Sequence, residues 1–272
     1  MNLQNYLIMD RRVDNRWVKD YPKPEVEKAA LRRAVLEINP DILAVQEMGP
    51  GLLLREFQED LEKEGQVFPY MILMEGEDEE RHVAVLSKIE PLEVIPHRDM
   101  DFPYFGERMK MKRGLLEVVF PQQENGEDFW SLFVVHLKSR LTDNDSDPDS
   151  RERREKEARA ARDRILEQFP NGDGYFLVVG DFNDHRDSAS LRRFANRGDT
   201  QITRMIDAFD SRGEKWTYHY EKFDRYERVD FFLASTDLSR CVKGAEGKIL
   251  DSFYWRVGTD HRPIFLDLDF GQ

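Results

Sequence analysis

The stretch Tyr175-Phe176-Leu177-Val178-Val179-Gly180-Asp181-Phe182-Asn183-Asp184-His185 constrains this chain more than any other. Its first five residues are apolar and β-branched toward the end, the pattern of a strand covered on both faces. Gly180 then lets the backbone bend, or another group come close, as the strand ends. Asp181 and Asn183 stand two apart, so in extended backbone their side chains leave on the same side. A carboxylate and a carboxamide held together at the end of a buried strand can hold a water and a phosphoryl oxygen near a metal. The same residues also suit an Asx-rich turn, and only the rest of the chain can separate the two readings.

With 272 residues the chain can bury a substantial core, as one large domain or two small ones. No internal repeat, low-complexity tract or linker divides it, so residues 1–272 read as a single domain. Charged residues at 35% beside 40% hydrophobic ones indicate a soluble globular protein, and no apolar run approaches the ~18–20 residues of a membrane span. Met1 is followed by polar Asn2, Gln4 and Asn5, so no leader is visible; the compartment stays open between cytoplasmic and exported after loss of a leader. Cys241 stands alone, which excludes an intrachain disulfide and a cysteine-rich zinc site. A net charge of −13 argues against a large non-specific nucleic-acid footprint, though not against a local basic groove. No protein partner can be inferred.

Taken in order, Asn2–Leu7 has strand-edge character and Asp10–Tyr21 is charged and irregular. Behind Pro24 a helix runs to about Asn39, with Leu31, Val35 and Ile38 on one face. Asp41–Glu47 is a short buried strand, and Glu47 is either its solvated end or a functional carboxylate. A second amphipathic helix spans Gly51–Glu64, Glu75–Glu80 is a solvated loop, and Arg81–Ser87 returns as a strand with His82 in a structural role. Between Met100 and Arg113, the cations Arg108, Lys110, Lys112 and Arg113 lie beside the aromatics Phe102, Tyr104 and Phe105; this segment is either a phosphate-binding surface or a solvated hairpin before the strand Leu115–Phe120. Phe129–Ser139 is a further buried strand carrying His136, whose imidazole could protonate a leaving group or contact a phosphate. A charged helix begins near Ser150, where Asp149 and Glu152 have capping-box spacing, and its Glu/Arg pairs decorate a wet face. Arg186–Phe209 reads as helix and loop, and His219 as a strand residue. Arg228–Ser235 opens a strand with Asp230. Asp260-His261, before a last strand Ile264–Phe270, is either a loop pair or a general-base unit. Nucleotide-binding glycine motifs, H-E-x-x-H and G-x-S-x-G are all missing.

Side by side, the strand ends Asn2, Gln46-Glu47, His136-Leu137-Lys138-Ser139, Gly180-Asp181-Phe182-Asn183, Arg228-Val229-Asp230 and Thr259-Asp260-His261 resemble, in order and over nearly the whole chain, the endonuclease/exonuclease/phosphatase superfamily. This resemblance implies an α/β fold, a four-layer α/β/β/α sandwich of two packed mixed sheets like that of pancreatic deoxyribonuclease. It also implies a Mg²⁺ or Mn²⁺ site at Glu47, Asn2 and Asp260. Asp181 then corresponds to the residue that orients or deprotonates the attacking water, and Asn183 to its phosphate-holding partner. His261 matches the phosphate-binding or base histidine, held by Asp230, and His136 the histidine of the deoxyribonuclease and sphingomyelinase branches. The segment Arg108, Lys110 and Arg113 is the candidate substrate-binding surface. Signatures of the inositol-polyphosphate 5-phosphatases and of abasic-site endonucleases are missing, which leaves the histidine-bearing branch. In that superfamily a strand of several residues leads into the asparagine matched by Asn2; here that strand is missing, so the chain is either truncated or built differently at this edge.

The activity implied is metal-dependent hydrolysis of a phosphodiester in a nucleic acid, a nucleotide or a lipid headgroup, by in-line attack of an activated water. Phosphomonoester or lipid-headgroup hydrolysis on the same site is the alternative. A binding protein without turnover is the third reading, and the full set of acids at strand ends argues against it.

Overall fold

The computed structural model describes residues 1–123 and 128–271. β1 (Asn2–Tyr6) is followed by a hairpin of β2 (Met9–Val13) and β3 (Arg16–Tyr21) where the sequence suggested irregular chain. Asp14 and Asn15 both take positive φ in its two-residue turn, the backbone that matches the twist of the flanking strands. α1 (Glu25–Ile38) ends at Asn39, which is left-handed and precedes Pro40. β4 (Ile42–Met48), α2 (Gly51–Lys63), β5 (Tyr70–Met74) and β6 (His82–Ser87) follow. β1, β4, β6 and β5 form, in that order, a four-stranded sheet in which β1 runs parallel to β4 and the other pairs are antiparallel.

The second half supplies β7 (Glu93–His97), an exposed hairpin of β8 (Asp101–Tyr104) and β9 (Glu107–Lys110), β10 (Leu115–Pro121), β11 (Phe129–His136), α3 (Arg151–Gln168), β12 (Phe176–Asp181) and α4 (Ala189–Ala195). A six-stranded mixed sheet runs from Arg204–Ile206 through Asp230–Ala234, β12, β11 and β10 to β7, with only β11 and β12 parallel. Arg204–Ile206 lies where helix and loop were expected; three residues are too few to display a strand period. The last strand shrinks to Ile264–Phe265, with Leu268 bridged singly to Val242.

Strand alternation explains why β12 is apolar throughout. Phe176 and Val178 pack with Ala158, Ala161 and Ile165 of α3, while Leu177 and Val179 pack with Val83 and Val85 of β6. On the far side of the smaller sheet, Leu43, Val45 and Leu86 meet Leu31 and Val35 of α1 and Leu54, Phe57 and Leu61 of α2.

α3 departs from expectation in two ways. Asp147, rather than Asp149, accepts the backbone N–H groups of Glu152 (3.1 Å) and Arg153 (3.0 Å), so the cap comes from further upstream. Several of its charges are also buried. Glu157 accepts the Lys138 N–H at 2.7 Å, and Arg154 reaches Asp184 at 3.3 Å and the Asp149 carbonyl at 2.7 Å. These charges tie down the loops that follow β11 and β12. No helix among the described residues is long and apolar enough to cross a membrane.

Candidate active site

Sheet register assembles the site. The parallel pairing of β11 and β12 sets His136 opposite Asp181, and the antiparallel pairing of β12 with Asp230–Ala234 sets Asp181 opposite Asp230. In the other sheet, β1 sets Asn2 opposite Gln46, next to Glu47. Three backbone features then aim the side chains. Gly180 has φ +140°, and a Cβ there would overlap the Val135 carbonyl, so only glycine fits. Asn183 is left-handed (φ +52°), and its N–H donates to Asp181 Oδ1 at 2.8 Å. The Asx turn is therefore real, and it serves the site: one carboxylate oxygen is held by backbone while Oδ2 stays directed at the other groups. Glu47 lies inside β4 rather than at its end, at φ +60° between two register shifts, a bulge that turns its carboxylate toward β1.

Asp181 Oδ2 is the focus. The Asn2 amide donates to it at 3.1 Å and to Glu47 Oε1 at 3.1 Å, bridging the two carboxylates. His136 Nε2 lies 3.7 Å and His261 Nε2 3.8 Å from the same Asp181 oxygen. His261 Nδ1 is hydrogen-bonded to Asp230 Oδ2 at 2.9 Å, and its Nε2 lies 3.9 Å from Asp260 Oδ1. Asn5 N–H holds the other oxygen of Glu47 at 2.8 Å. The Asn183 amide donates to the Leu137 carbonyl at 3.0 Å and to Asp181 Oδ2 at 3.2 Å, so its hydrogens position Asp181.

Electrostatics separate the two imidazoles. Burial alone would lower the proton affinity of His261, but the carboxylates of Asp230, Asp181 and Asp260 reverse this and raise its pKa to about 10. His136 is pushed well below 6.5 by burial and by the nearby charges of Arg113, His261 and Arg81, and is a neutral imidazole. Burial raises Asp181 to about 7, against the pull of His261 and with the push of Asp230 and Glu47. Asp260 is raised by burial and by the charges of Glu47 and Asp230, despite the pull of His261. Three carboxylates, Asp230, Asp181 and Asp260, thus crowd one buried imidazolium, with Glu47 pressing on two of them.

That surplus suits a hard divalent cation, because carboxylate oxygens dominate the site and the acids resist ionising together without one. Asp181, Asp230 and His261 lie closest to one another as potential ligands, with donor atoms within 4.8 Å. Two of them, Asp230 and His261, are hydrogen-bonded to each other, while the Asn2 Oδ1 accepts the Gln4 N–H at 2.8 Å.

The structure brings Asn2, Glu47, His136, Asp181, Asn183, Asp230, Asp260 and His261 together, but it does not bring the basic segment with them. Arg108 pairs with Asp101 and Lys110 with Glu77 (2.9 Å) on the exposed hairpin. Arg113 is buried against Asp78 at 3.1 Å, and its charge acts on His136. Two buried threonines were not foreseen. Thr259 Oγ1 donates to the Asn2 carbonyl at 3.0 Å and accepts the His261 N–H at 3.1 Å, fastening the last site loop to β1. Thr217 Oγ1 accepts the N–H groups of Val229 and Asp230, each at 3.1 Å. Only the position of Thr259 just before Asp260-His261 could have drawn attention to it.

The profile of the endonuclease/exonuclease/phosphatase family matches residues 18–261, from within β3 to His261 itself. The chain belongs to this family. Asn2 lies outside the matched span, so its place in the site comes from the structure. Solved structures share the fold at low identity. The human Nocturnin catalytic domain with bound sulfate is 14% identical, with TM-score 0.65 over 98% of this chain and 93% of that one. A Staphylococcus aureus beta toxin mutant with bound magnesium ions is 12% identical, with TM-score 0.65 over 98% of each chain. A Bacteroides thetaiotaomicron mannosyl-6-phosphatase is 15% identical, with TM-score 0.60 over 90% of this chain and 91% of that one. No curated protein sequence matches the chain.

Proposed function

We propose that this family member is a divalent-metal-dependent hydrolase of phosphodiester bonds, using a Mg²⁺ or Mn²⁺ ion and an activated water for in-line attack. The observation that carries this reading is the convergence on Asp181 Oδ2 of Asn2 at 3.1 Å, His136 at 3.7 Å and His261 at 3.8 Å. We also read the three apolar clusters as the interfaces of a four-layer α/β/β/α sandwich, with the site at one end of its two sheets.

Each residue then has a distinct role. Asp181, aligned by Asn183 and Asn2, accepts the proton of the attacking water. His261, kept charged by Asp230, donates from Nε2 to a phosphoryl oxygen; as an imidazolium it is not the base. His136, being neutral, is suited to a second hydrogen bond to the phosphoryl group rather than to general-acid work. Glu47, with Asn2 and Asp260, would hold the cation, which when bound neutralises phosphoryl charge and draws down the proton affinity of its neighbours. In the basic segment, Arg113 contributes positive potential at the site, while Arg108 and Lys110 would meet only a substrate long enough to reach the β8–β9 hairpin.

The test is hydrolysis of bis-p-nitrophenyl phosphate against p-nitrophenyl phosphate with Mg²⁺, Mn²⁺ or EDTA, repeated on Asp181→Asn and Glu47→Gln. Metal-dependent diester cleavage is expected, lost in Asp181→Asn and requiring more metal in Glu47→Gln. Preference for the monoester would replace the reading with a phosphatase. Diester cleavage that survives EDTA, or an Asp181→Asn protein as fast as the native one, would overturn it.

A further inference from the structure

β1 is bent where it meets the candidate site. Asn2 pairs with Gln46 and Tyr6 with Met48, so β1 takes four residue steps where β4 takes two. The surplus is absorbed at Gln4 (φ +46°) and Asn5 (φ +57°), two left-handed residues in succession, neither of them glycine. Such backbone is costly and persists only where its surroundings over-determine it. What it secures is local. Gln4 N–H donates to Asn2 Oδ1 and Asn5 N–H to Glu47 Oε2, each at 2.8 Å. With those two oxygens fixed, the Asn2 amide hydrogens go to Glu47 Oε1 and Asp181 Oδ2, each at 3.1 Å. One strained turn thus aims both the asparagine and the glutamate.

Cations from three other elements hold the turn. Lys23 Nζ donates to the Gln4 carbonyl at 2.9 Å. Arg11 Nη2, from β2, donates to the carbonyls of Asn5 at 2.5 Å and Leu7 at 3.1 Å. Arg81 Nε donates to Asn5 Oδ1 at 2.8 Å, which fixes the side chain of the same residue. Lys23 is only 2% exposed, so it is not available to a substrate, and its other partner is Glu27 Oε2 at 3.0 Å. It stands between Pro22 and Pro24, which restrict the backbone on both sides of it. Burying an ammonium is costly unless it is well bonded, and here its bonds go to the carbonyl of a strained residue.

We propose that Lys23 and Arg11, supported by Arg81, are positioning residues: they hold Gln4 and Asn5 left-handed and so keep Glu47 and Asn2 in the geometry that accepts a divalent cation. The inference rests on the metal-dependent reading of the site. It gives the β2–β3 hairpin a task the reaction itself does not use, since β2 carries Arg11 to the turn. It also predicts a sign. On charge alone, deleting a cation near Glu47 would strengthen the binding of another cation; if the deleted cation positions Glu47, the binding weakens.

Calorimetric titration with Mn²⁺, in the absence of any substrate, separates the two. Lys23→Met is expected to raise the Mn²⁺ Kd roughly tenfold, the scale set by one left-handed residue that is no longer held. In EDTA the same variant should speed hydrogen exchange at the Asn5 amide by a similar factor. Adding Gln4→Gly to Lys23→Met should bring the Kd back to within about threefold of the native value, because glycine adopts positive φ without steric cost. Arg11→Met should act in the same direction, and it carries the test if circular dichroism shows Lys23→Met unfolded. A Kd that is unchanged or tighter in these variants overturns the inference and leaves the metal-dependent reading standing. So does a loss that glycine fails to restore, which would mark a general structural role. No Mn²⁺ binding by the native protein overturns both.

Discussion

Gly180→Ala provides the sharpest test of how the backbone places the site. The added Cβ would overlap the Val135 carbonyl oxygen outright and lie within 2.9 Å of its carbon, in a backbone with φ +140° that L side chains rarely adopt. Because Val135 and Gly180 are register partners in the parallel β11–β12 pair, the clash cannot be relieved by a side-chain rotation. The strands must part by about 1.5 Å to bring the Cβ and the Val135 oxygen, 1.9 Å apart, to ordinary contact. Overpacking and backbone strain together are expected to cost about 2–5 kcal/mol. With a denaturation slope near 3 kcal/mol per M of urea, the unfolding midpoint should fall by roughly 1 M. Gly106→Ala separates the two contributions, because Gly106 is also at positive φ (+90°) but its Cβ would meet nothing within 4 Å; it should cost only about 1–2 kcal/mol. His136 and Asp181 are the next residues along the two displaced strands, so Gly180→Ala should also lower kcat by about 100-fold. The assays are urea titration followed by circular dichroism, and steady-state hydrolysis of the diester. A Gly180→Ala protein with the native midpoint, or one no less stable than Gly106→Ala, would refute the close approach of β11 and β12.

The remaining expectations concern the Asp230–His261 pair and pH. Asp230→Asn should leave the fold intact and lower kcat by roughly 10²–10³-fold, the scale for weakening one charged donor to a phosphoryl oxygen; a loss under tenfold would show that His261 needs no such partner. Because the folded pKa of His261 is raised from 6.5 to about 10, its contribution to stability is fully present below pH 6.5 and is lost as pH rises toward 10. In EDTA, thermal melting should therefore fall across that window, and Asp230→Asn should flatten the fall. A melting temperature that is level from pH 6.5 to 10 in the native protein would mean that His261 is not held charged.

Much of the fold was readable because each main element carries its own periodicity. β12 announced itself by an apolar run, and α1 and α2 by their stripes of Leu, Val and Phe, since burial on one or both faces must be written into the residues that are buried. Asp181 and Asn183 were readable as candidates for a related reason, since an acid and an amide at the end of an apolar run are costly to bury unless something needs them there, whereas Asp260 and His261, which precede a strand, stood out through the family resemblance. What the run of residues could not express was anything set by register or by distant partners. The short strand Arg204–Ile206, the bulge that redirects Glu47, the buried charges of α3 and the fastening of Thr259 to Asn2 all depend on segments far apart in the chain. The same holds for the basic segment. Its composition allowed either a ligand surface or a solvated hairpin, and only the tertiary structure sets Asp101, Glu77 and Asp78 beside Arg108, Lys110 and Arg113. Proton affinities were least readable of all. His136 and His261 are the same residue type and both are buried, yet burial and the charges of Arg113, His261 and Arg81 lower the first while Asp230, Asp181 and Asp260 outweigh burial and raise the second, a balance that only three-dimensional packing decides.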